Sequence, residues 1–233
     1  MKRIRIRTLG LCLVAVFAVG ALASAAASAA KPELVNSKKE ALPAGTKFTS
    51  TSGAGTFETK SGRKVTCEKD TNSGEITGPK TDTAKITFTG CSTVHIITVK
   101  CKTEGAKTGE IILTGNSKLV WLNEKAETVG LDIVIPSTLK IICEAFGSKE
   151  TLTVKGSTVC PLSPLNKLTT KLTLSCKEKG GIQEPSAYEE GGKLIEDFTE
   201  TEGKGTENFA FEKSGLTSTD ELSFEGKEVE VEA

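Results

Sequence analysis

The chain has 233 residues, enough for one large or two small domains, and its 30 basic and 30 acidic residues give a formal net charge of zero. Removal of the basic N-terminal segment described next leaves 26 basic and 30 acidic residues, a net charge of −4. A mildly acidic chain lacks the clustered positive charge that phosphate backbones require, which argues against a nucleic-acid partner.

Residues 1–30 have the layout of a secretory signal peptide, in which basic residues are followed by an uncharged apolar run and then by small residues. The small side chains at the end of this segment suit signal peptidase and predict cleavage near Ala29 or Ala30, with Ala25 as an alternative. The mature chain is therefore expected to be secreted and extracellular, and the sequence leaves open whether it is retained at the cell surface.

Two other interpretations of this segment stay open. An uncleaved membrane anchor needs about 20 apolar residues, but the second half of the segment is weakly apolar Ala and Ser. A lipoprotein would be modified at Cys12, but Leu11 is too large for the position before a lipidated cysteine. No second long apolar run follows, so no membrane span is expected after cleavage.

Residues 31–46 are polar, contain two prolines and are predicted to be a flexible lead-in. The chain then becomes a series of short alternating runs, rich in Val, Ile, Thr and Phe and bounded by turn residues, which is typical of antiparallel strands. All seven prolines fall between these runs. The predicted strands lie at 56–59, 64–68, 84–89, 94–101, 110–113, 118–122, 129–135, 139–143, 151–154 and 168–176.

Residues 177–208 are rich in Gly, Glu and Lys and are predicted to be a polar loop region. Further runs follow at 208–212 and 221–232, and the last has valines on one face and glutamates on the other, as expected of a terminal edge strand. Helical periodicity is nearly absent. We therefore predict a single all-β domain over 47–233, an antiparallel β-sandwich or barrel-like domain of about 11–13 short strands.

The cysteines predict that this domain is stapled by disulfides. Seven become six when Cys12 leaves with the signal peptide, and an even number in an exported chain predicts three bridges. Zinc is the competing use, but no two cysteines have the spacing of a zinc knuckle and the chain has one histidine. Many pairings are possible, and proximity in sequence favours Cys91 with Cys101, Cys160 with Cys176, and hence Cys67 with Cys143.

No catalytic constellation stands out. A hydrolase triad would have to use His95, the single histidine, yet the chain has neither a Gly-x-Ser-x-Gly elbow nor a spare cysteine, so we interpret His95 as an ordinary strand residue. Paired carboxylates would suffice for a glycosidase, but nothing singles out two of the 30 acidic residues. We predict no catalytic residue and no cofactor.

Two features bear on binding. Residues 70–76 place oxygen ligands at alternate positions, as in a calcium loop, but Glu75 stands where that loop needs glycine, so an ordinary turn is favoured and no metal site is predicted. Sugar-binding surfaces use exposed aromatic rings. Trp121 lies among apolar residues and is predicted to be in the core, whereas Tyr188 in the polar loop region is predicted to be exposed and is the candidate binding residue.

A set of short motifs runs through residues 48–185, comprising Gly55-x-Phe57, Val65-Thr66-Cys67, Ile86-Thr87-Phe88-x-Gly90-Cys91, Gly109-Glu110-Ile111, Val129-Gly130-Leu131, Val154-x-Gly156-Ser157, Pro164-x-Asn166-Lys167 and Gly181-x-Gln183. As a set they resemble a family of secreted, cysteine-containing proteins found in many copies in soil actinobacteria. The resemblance implies export, β structure and paired cysteines. The family has no assigned activity, so no functional residue is carried over. Cys160 and Cys176 are additions to its pattern, which implies that they bond to each other.

Export, strand-rich composition and the lack of a catalytic constellation predict a non-catalytic extracellular or cell-envelope-associated interaction module. Its partner is expected to be an extracellular protein or a cell-envelope glycan. A secreted carboxylate-dependent hydrolase or lyase acting on a polymer, and a secreted inhibitor or effector, are the alternatives. An enzyme should show a concave cluster of carboxylates with raised pKa values, and a binding module should show an exposed apolar patch.

Overall fold

The computed structural model describes residues 31–94, 97–205 and 208–233, so the predicted signal peptide lies outside the described residues. These residues contain eighteen strands, and no helix among them is long and apolar enough to cross a membrane. The strands are β1 (Glu33–Val35), β2 (Lys47–Ser52), β3 (Gly55–Thr59), β4 (Lys64–Cys67), β5 (Lys69–Gly78), β6 (Thr81–Thr89), β7 (Ser92–Val94), β8 (Thr98–Thr103), β9 (Glu110–Asn123), β10 (Thr128–Ala145), β11 (Ser148–Ser163), β12 (Lys171–Glu178), β13 (Gln183–Glu184), β14 (Ala187–Glu190), β15 (Lys193–Glu196), β16 (Thr199–Lys204), β17 (Phe209–Ser223) and β18 (Glu230–Glu232).

Sixteen of the strands form one sheet, and this sheet closes on itself twice. In circuit A, hydrogen-bonded neighbours run β10–β9–β6–β5–β2–β17–β12–β11 and return to β10. In circuit B they run β10–β8–β7–β4–β3–β17–β16–β11 and return to β10. Every pairing is antiparallel. The predicted all-β antiparallel fold is confirmed, and the double closure makes it barrel-like.

The three strands shared by both circuits change neighbours part-way along their length. In β10, residues 128–134 pair with β9, whereas residues 141–143 pair with β8. The register of β10 with β11 shifts between Ile135 and Leu139, and β11 carries Gly156 at this level with φ of 99°. A Cβ at Gly156 would lie 2.4 Å from the carbonyl oxygen of Phe198, so the close approach of the two backbones requires glycine.

Each circuit encloses its own apolar core, because alternate residues of every strand project inward. Core A is built from side chains that include Phe48, Ile76, Leu131, Leu172, Leu222 and Phe224. Core B includes Val65, Ile111, Ile141, Leu152 and Val154. The burial of these side chains supplies the main favourable free energy of folding.

Three disulfides staple the circuits, as predicted, but the expected pairing is correct for only one of them. Cys160 bonds to Cys176 in core A, which agrees with the prediction. The expected bonds Cys91–Cys101 and Cys67–Cys143 are wrong. Instead Cys67 bonds to Cys91, and Cys101 bonds to Cys143 directly opposite it on the neighbouring strand. Strand pairing, rather than proximity in sequence, decides which sulfurs meet.

Both segments expected to lack regular structure contain strands. The lead-in 31–46 contributes β1, which pairs with β18 as a separate two-stranded sheet whose valines are fully buried beside core A. The polar loop region 177–208 holds β13, β14, β15 and β16. The terminal strand is also not a free edge, because Glu230 is buried and accepts a 2.6 Å hydrogen bond from Lys39 Nζ. The strand number therefore exceeds the predicted 11–13.

Candidate functional site

Tyr188, the candidate binding residue, is not available to a ligand. It lies on β14 and is 7% exposed, packed with Val120 and Val159 on the outer face of circuit A. Lys118 Nζ lies 4.8 Å from the centre of its ring. The prediction that this ring is exposed is wrong, because β14 and β15 form a hairpin that folds onto the sheet. Trp121 packs partly buried against core A, close to expectation.

The other sequence candidates contribute no site in the described part of the chain. Residues 70–76 belong to β5 and do not form a calcium loop. Among the described residues, no group of three or more histidine, cysteine, aspartate or glutamate side chains could hold a metal ion. His95 lies outside the described residues.

The first of two buried acid pairs, Asp70 on β5 and Asp220 on β17, lies inside circuit A on either side of β2. Asn72 Nδ2 donates to Asp220 Oδ1 at 2.9 Å, Ser218 Oγ donates to Asp220 Oδ2 at 3.1 Å, and Ser52 donates to Asp70. Burial raises the pKa of Asp70 to about 7; the charge of Asp220 reinforces the shift, and the hydrogen bond from Ser52 opposes it.

The second pair lies on the outer face of circuit A, near the hairpin that carries Tyr188. Asp132 projects from β10, and Asp197, which follows β15, accepts a hydrogen bond from Ser157 of β11. Burial raises the pKa of Asp132 to about 7, with the charge of Asp197 adding to the shift and that of Lys118 opposing it. Burial also raises the pKa of Asp197.

A raised pKa suits a carboxyl group for proton transfer near neutral pH, but these four acids are closed off from solvent. Asp70, Asp132, Asp197 and Asp220 are each at most 4% exposed. A polysaccharide or polypeptide must pass between or beside its catalytic carboxyls, which requires them to face an open cleft. Neither pair lines the cleft described below.

Four turns lie together at one end of circuit B, which we call the turn end. The pairing of Cys143 with Cys101 places the β10–β11 turn beside the start of β8, and the pairing of Thr66 with Ser92 places the start of β4 beside the end of β7. A Cβ on Gly205, after β16, would approach the backbone of β11 near its start. The turn end therefore comprises the connections β3–β4, β7–β8, β10–β11 and β16–β17, as far as they are described.

Large apolar side chains are exposed at the turn end. Phe146 is 95% exposed in the β10–β11 turn, and Val94 and Ile97, at the described ends of the β7–β8 connection, are 70% and 44% exposed. Phe146 has a φ of 49°, which is unfavourable for a bulky residue. Exposed apolar side chains gathered at one end of a molecule are typical of an interaction site rather than of inert surface.

A cleft of about 580 Å³, with polar and apolar groups in its wall, opens at the turn end, and of the three exposed side chains Val94 lines it. On one side, Arg63 forms a buried ion pair with Glu150 at 3.4 Å, and Lys64 pairs with Glu58 at 2.9 Å, a hydrogen bond that raises the pKa of Lys64. The lining residues include Ser61, Gly62, Arg63, Lys64, Thr66, Ser92, Val94, Asn208 and Phe209. The cleft and the exposed apolar side chains together form the candidate binding site.

No protein-family model, characterised protein or solved structure matches this chain. The resemblance to an actinobacterial family therefore stays a prediction. Sequence reasoning missed the turn end, although one signal was present: Phe146 precedes Gly147 between two predicted strands, where a polar turn residue is usual.

Proposed function

We propose that this chain is an exported, non-catalytic binding domain that engages a protein of the cell envelope through the turn end. The observation that carries the proposal is the exposure of three apolar side chains at the turn end, Phe146, Val94 and Ile97, of which Val94 also lines a cleft of mixed polarity. Apolar and aromatic side chains at the centre, with polar groups around them, are the usual composition of a protein–protein contact.

Export is supported by the N-terminal pattern of the sequence and by the three disulfides, which persist in oxidising compartments. A non-catalytic role is supported by the burial of both acid pairs, which removes the main argument for a carboxylate-dependent hydrolase or lyase. A protein partner is favoured over a glycan because the ring expected to stack on sugars, Tyr188, is buried.

The test is co-sedimentation of the oxidised protein with isolated actinobacterial cell envelopes, either untreated or stripped of protein by protease, and with insoluble polysaccharides. The proposal expects saturable binding to untreated envelopes that survives raised salt and is lost after protease treatment. Phe146→Ser should weaken binding about tenfold or more, as truncation of a central aromatic contact does. Leu194→Ser is the matched control, since Leu194 is 70% exposed on β15, outside the turn end.

The possible results separate the alternatives. Binding to polysaccharide that Phe146→Ser leaves unchanged would replace the proposal with a glycan-binding module. Equal weakening by the two variants would mean that the turn end has no special role. Absence of binding to every envelope preparation would overturn the envelope-protein proposal.

A further inference from the structure

A partly enclosed cavity of about 90 Å³ lies at the junction of the two cores. Its wall is apolar apart from two threonine hydroxyls, and it draws side chains from both circuits. Residues of β6, β9 and β10 line one part, and residues of β3, β4 and β11 line another; examples are Ile86, Leu113, Ile133, Phe57, Val65 and Val154. This site is separate from the turn end.

The lining side chains are incompletely packed. Ile86, Leu113, Ile133 and Phe57 are only half-buried although they face the interior. Protein interiors are normally packed as densely as organic crystals, so a void of this size deprives its walls of dispersion contacts. An apolar cavity of comparable size stays dry and takes up small apolar molecules. A hydrocarbon group placed here would restore the missing contacts.

The wall offers a ligand no accessible hydrogen-bonding group. Thr158 on β11 lies directly opposite Ile133 of β10, so both side chains project to the same face of the sheet. Thr158 is 8% exposed, and within the described residues its Oγ1 has no hydrogen-bond partner. The second threonine, Thr199, donates its hydroxyl to the carbonyl oxygen of Ser214 at 2.6 Å. Less than 1 Å² of the Thr158 oxygen is accessible, so a molecule in the cavity meets hydrocarbon and cannot reach this hydroxyl.

We propose that this cavity binds a small uncharged molecule through its hydrocarbon body alone. A charged ligand is excluded because the wall offers no counter-charge, and burial of an unpaired charge is costly. The cavity is smaller than the engineered apolar cavity of about 150 Å³ that takes up benzene, which limits the ligand to the size of xenon or a short-chain alcohol.

The experiment uses two probes on the isotope-labelled, oxidised protein, followed by amide and methyl NMR shifts. 1-Butanol has a hydrocarbon body and a hydroxyl, whereas xenon fills apolar cavities without hydrogen bonding. Both should give saturable shifts at Ile86, Leu113 and Ile133. Thr158→Val, which replaces the inaccessible hydroxyl by a methyl group, should leave the binding of both probes unchanged.

Leu113→Phe fills the cavity and should abolish both responses, whereas Leu122→Phe, on the same strand but packed on the outer face, should leave them intact. If Leu113→Phe fails to fold, magnetisation transfer between 1-butanol protons and the Leu113 and Ile133 methyls decides the location instead. Shifts that never saturate, or that persist in Leu113→Phe, would overturn the cavity as a site. Loss of 1-butanol binding but not of xenon binding in Thr158→Val would overturn binding through hydrocarbon alone.

Discussion

Replacing Asp70 by Asn should remove a large part of the pH dependence of stability. The folded protein holds the pKa of Asp70 at about 7, against an ordinary value of 3.8 in the unfolded chain. As the pH rises from about 4 to 7, the unfolded chain releases the proton first, so the free energy of unfolding falls. The difference of about 3 pKa units corresponds to a loss of up to about 4 kcal/mol, complete once the pH exceeds the folded pKa.

Urea denaturation of the oxidised protein between pH 4 and pH 8 measures this effect. At an m-value of about 2 kcal/mol per M, the Asp70 contribution lowers the wild-type midpoint by about 2 M across that range. Asp70→Asn keeps a neutral side chain of the same shape beside Asp220, so the variant should match the wild type near pH 4 and exceed its stability near pH 8.

Glu75→Gln is the control, because Glu75 lies on the same strand with its side chain exposed to solvent. It should leave the pH profile of the wild type unchanged. The account of the Asp70–Asp220 pair fails if Asp70→Asn is less stable than the wild type at pH 8, or if its profile is as steep as that of the wild type.

Three further predictions concern the fold, and differential scanning calorimetry of each variant checks them. Replacing both Cys101 and Cys143 by Ala opens a loop of 42 residues and should lower the free energy of unfolding by about 4 kcal/mol. This is about 1 kcal/mol more than the cost of opening the 16-residue loop of the core A disulfide. The reverse order would contradict the explanation by loop entropy. Gly181→Ala places a Cβ 2.1 Å from the backbone of Thr59 and should lower the free energy of unfolding by about 3 kcal/mol or more. Gly180 has a similar φ but open space around it, so Gly180→Ala should cost about 1–2 kcal/mol. Similar costs for the two variants would show that crowding is unimportant. Val231→Ala should cost about 2 kcal/mol because β18 is part of the core, and a negligible cost would mean that the strand frays.

The short predicted strands are largely correct in position, but many are pieces of longer ones. The runs at 129–135 and 139–143 are both in β10, which passes through Pro136 at the register shift. From the local sequence, a proline predicts the end of a strand, because it has no N–H to donate to an inter-strand hydrogen bond. Here β10 has a register shift at the proline, and its neighbour changes from β9 to β8. The local sequence does not indicate this change of neighbour.

The candidate site was less predictable than the fold, because exposure depends on which segments cover which faces. Tyr188 sits in a segment rich in Gly and Glu, yet that segment folds as a hairpin over the sheet and buries the ring. Conversely, Phe146 has the apolar character of a core residue but lies at the tip of a turn. Disulfide pairing failed for a related reason, since the order of strands in circuit B brings together cysteines that are distant in sequence.

Both circuits need β17 in order to close. This strand, residues 209–223, is a member of both circuits and follows all of their other strands in the sequence. Without β17, the strands β2, β3, β12 and β16 each lack a neighbour, so neither circuit can close. A chain that lacks this segment thus keeps unpaired strand edges, which makes products truncated before residue 209 prone to aggregation.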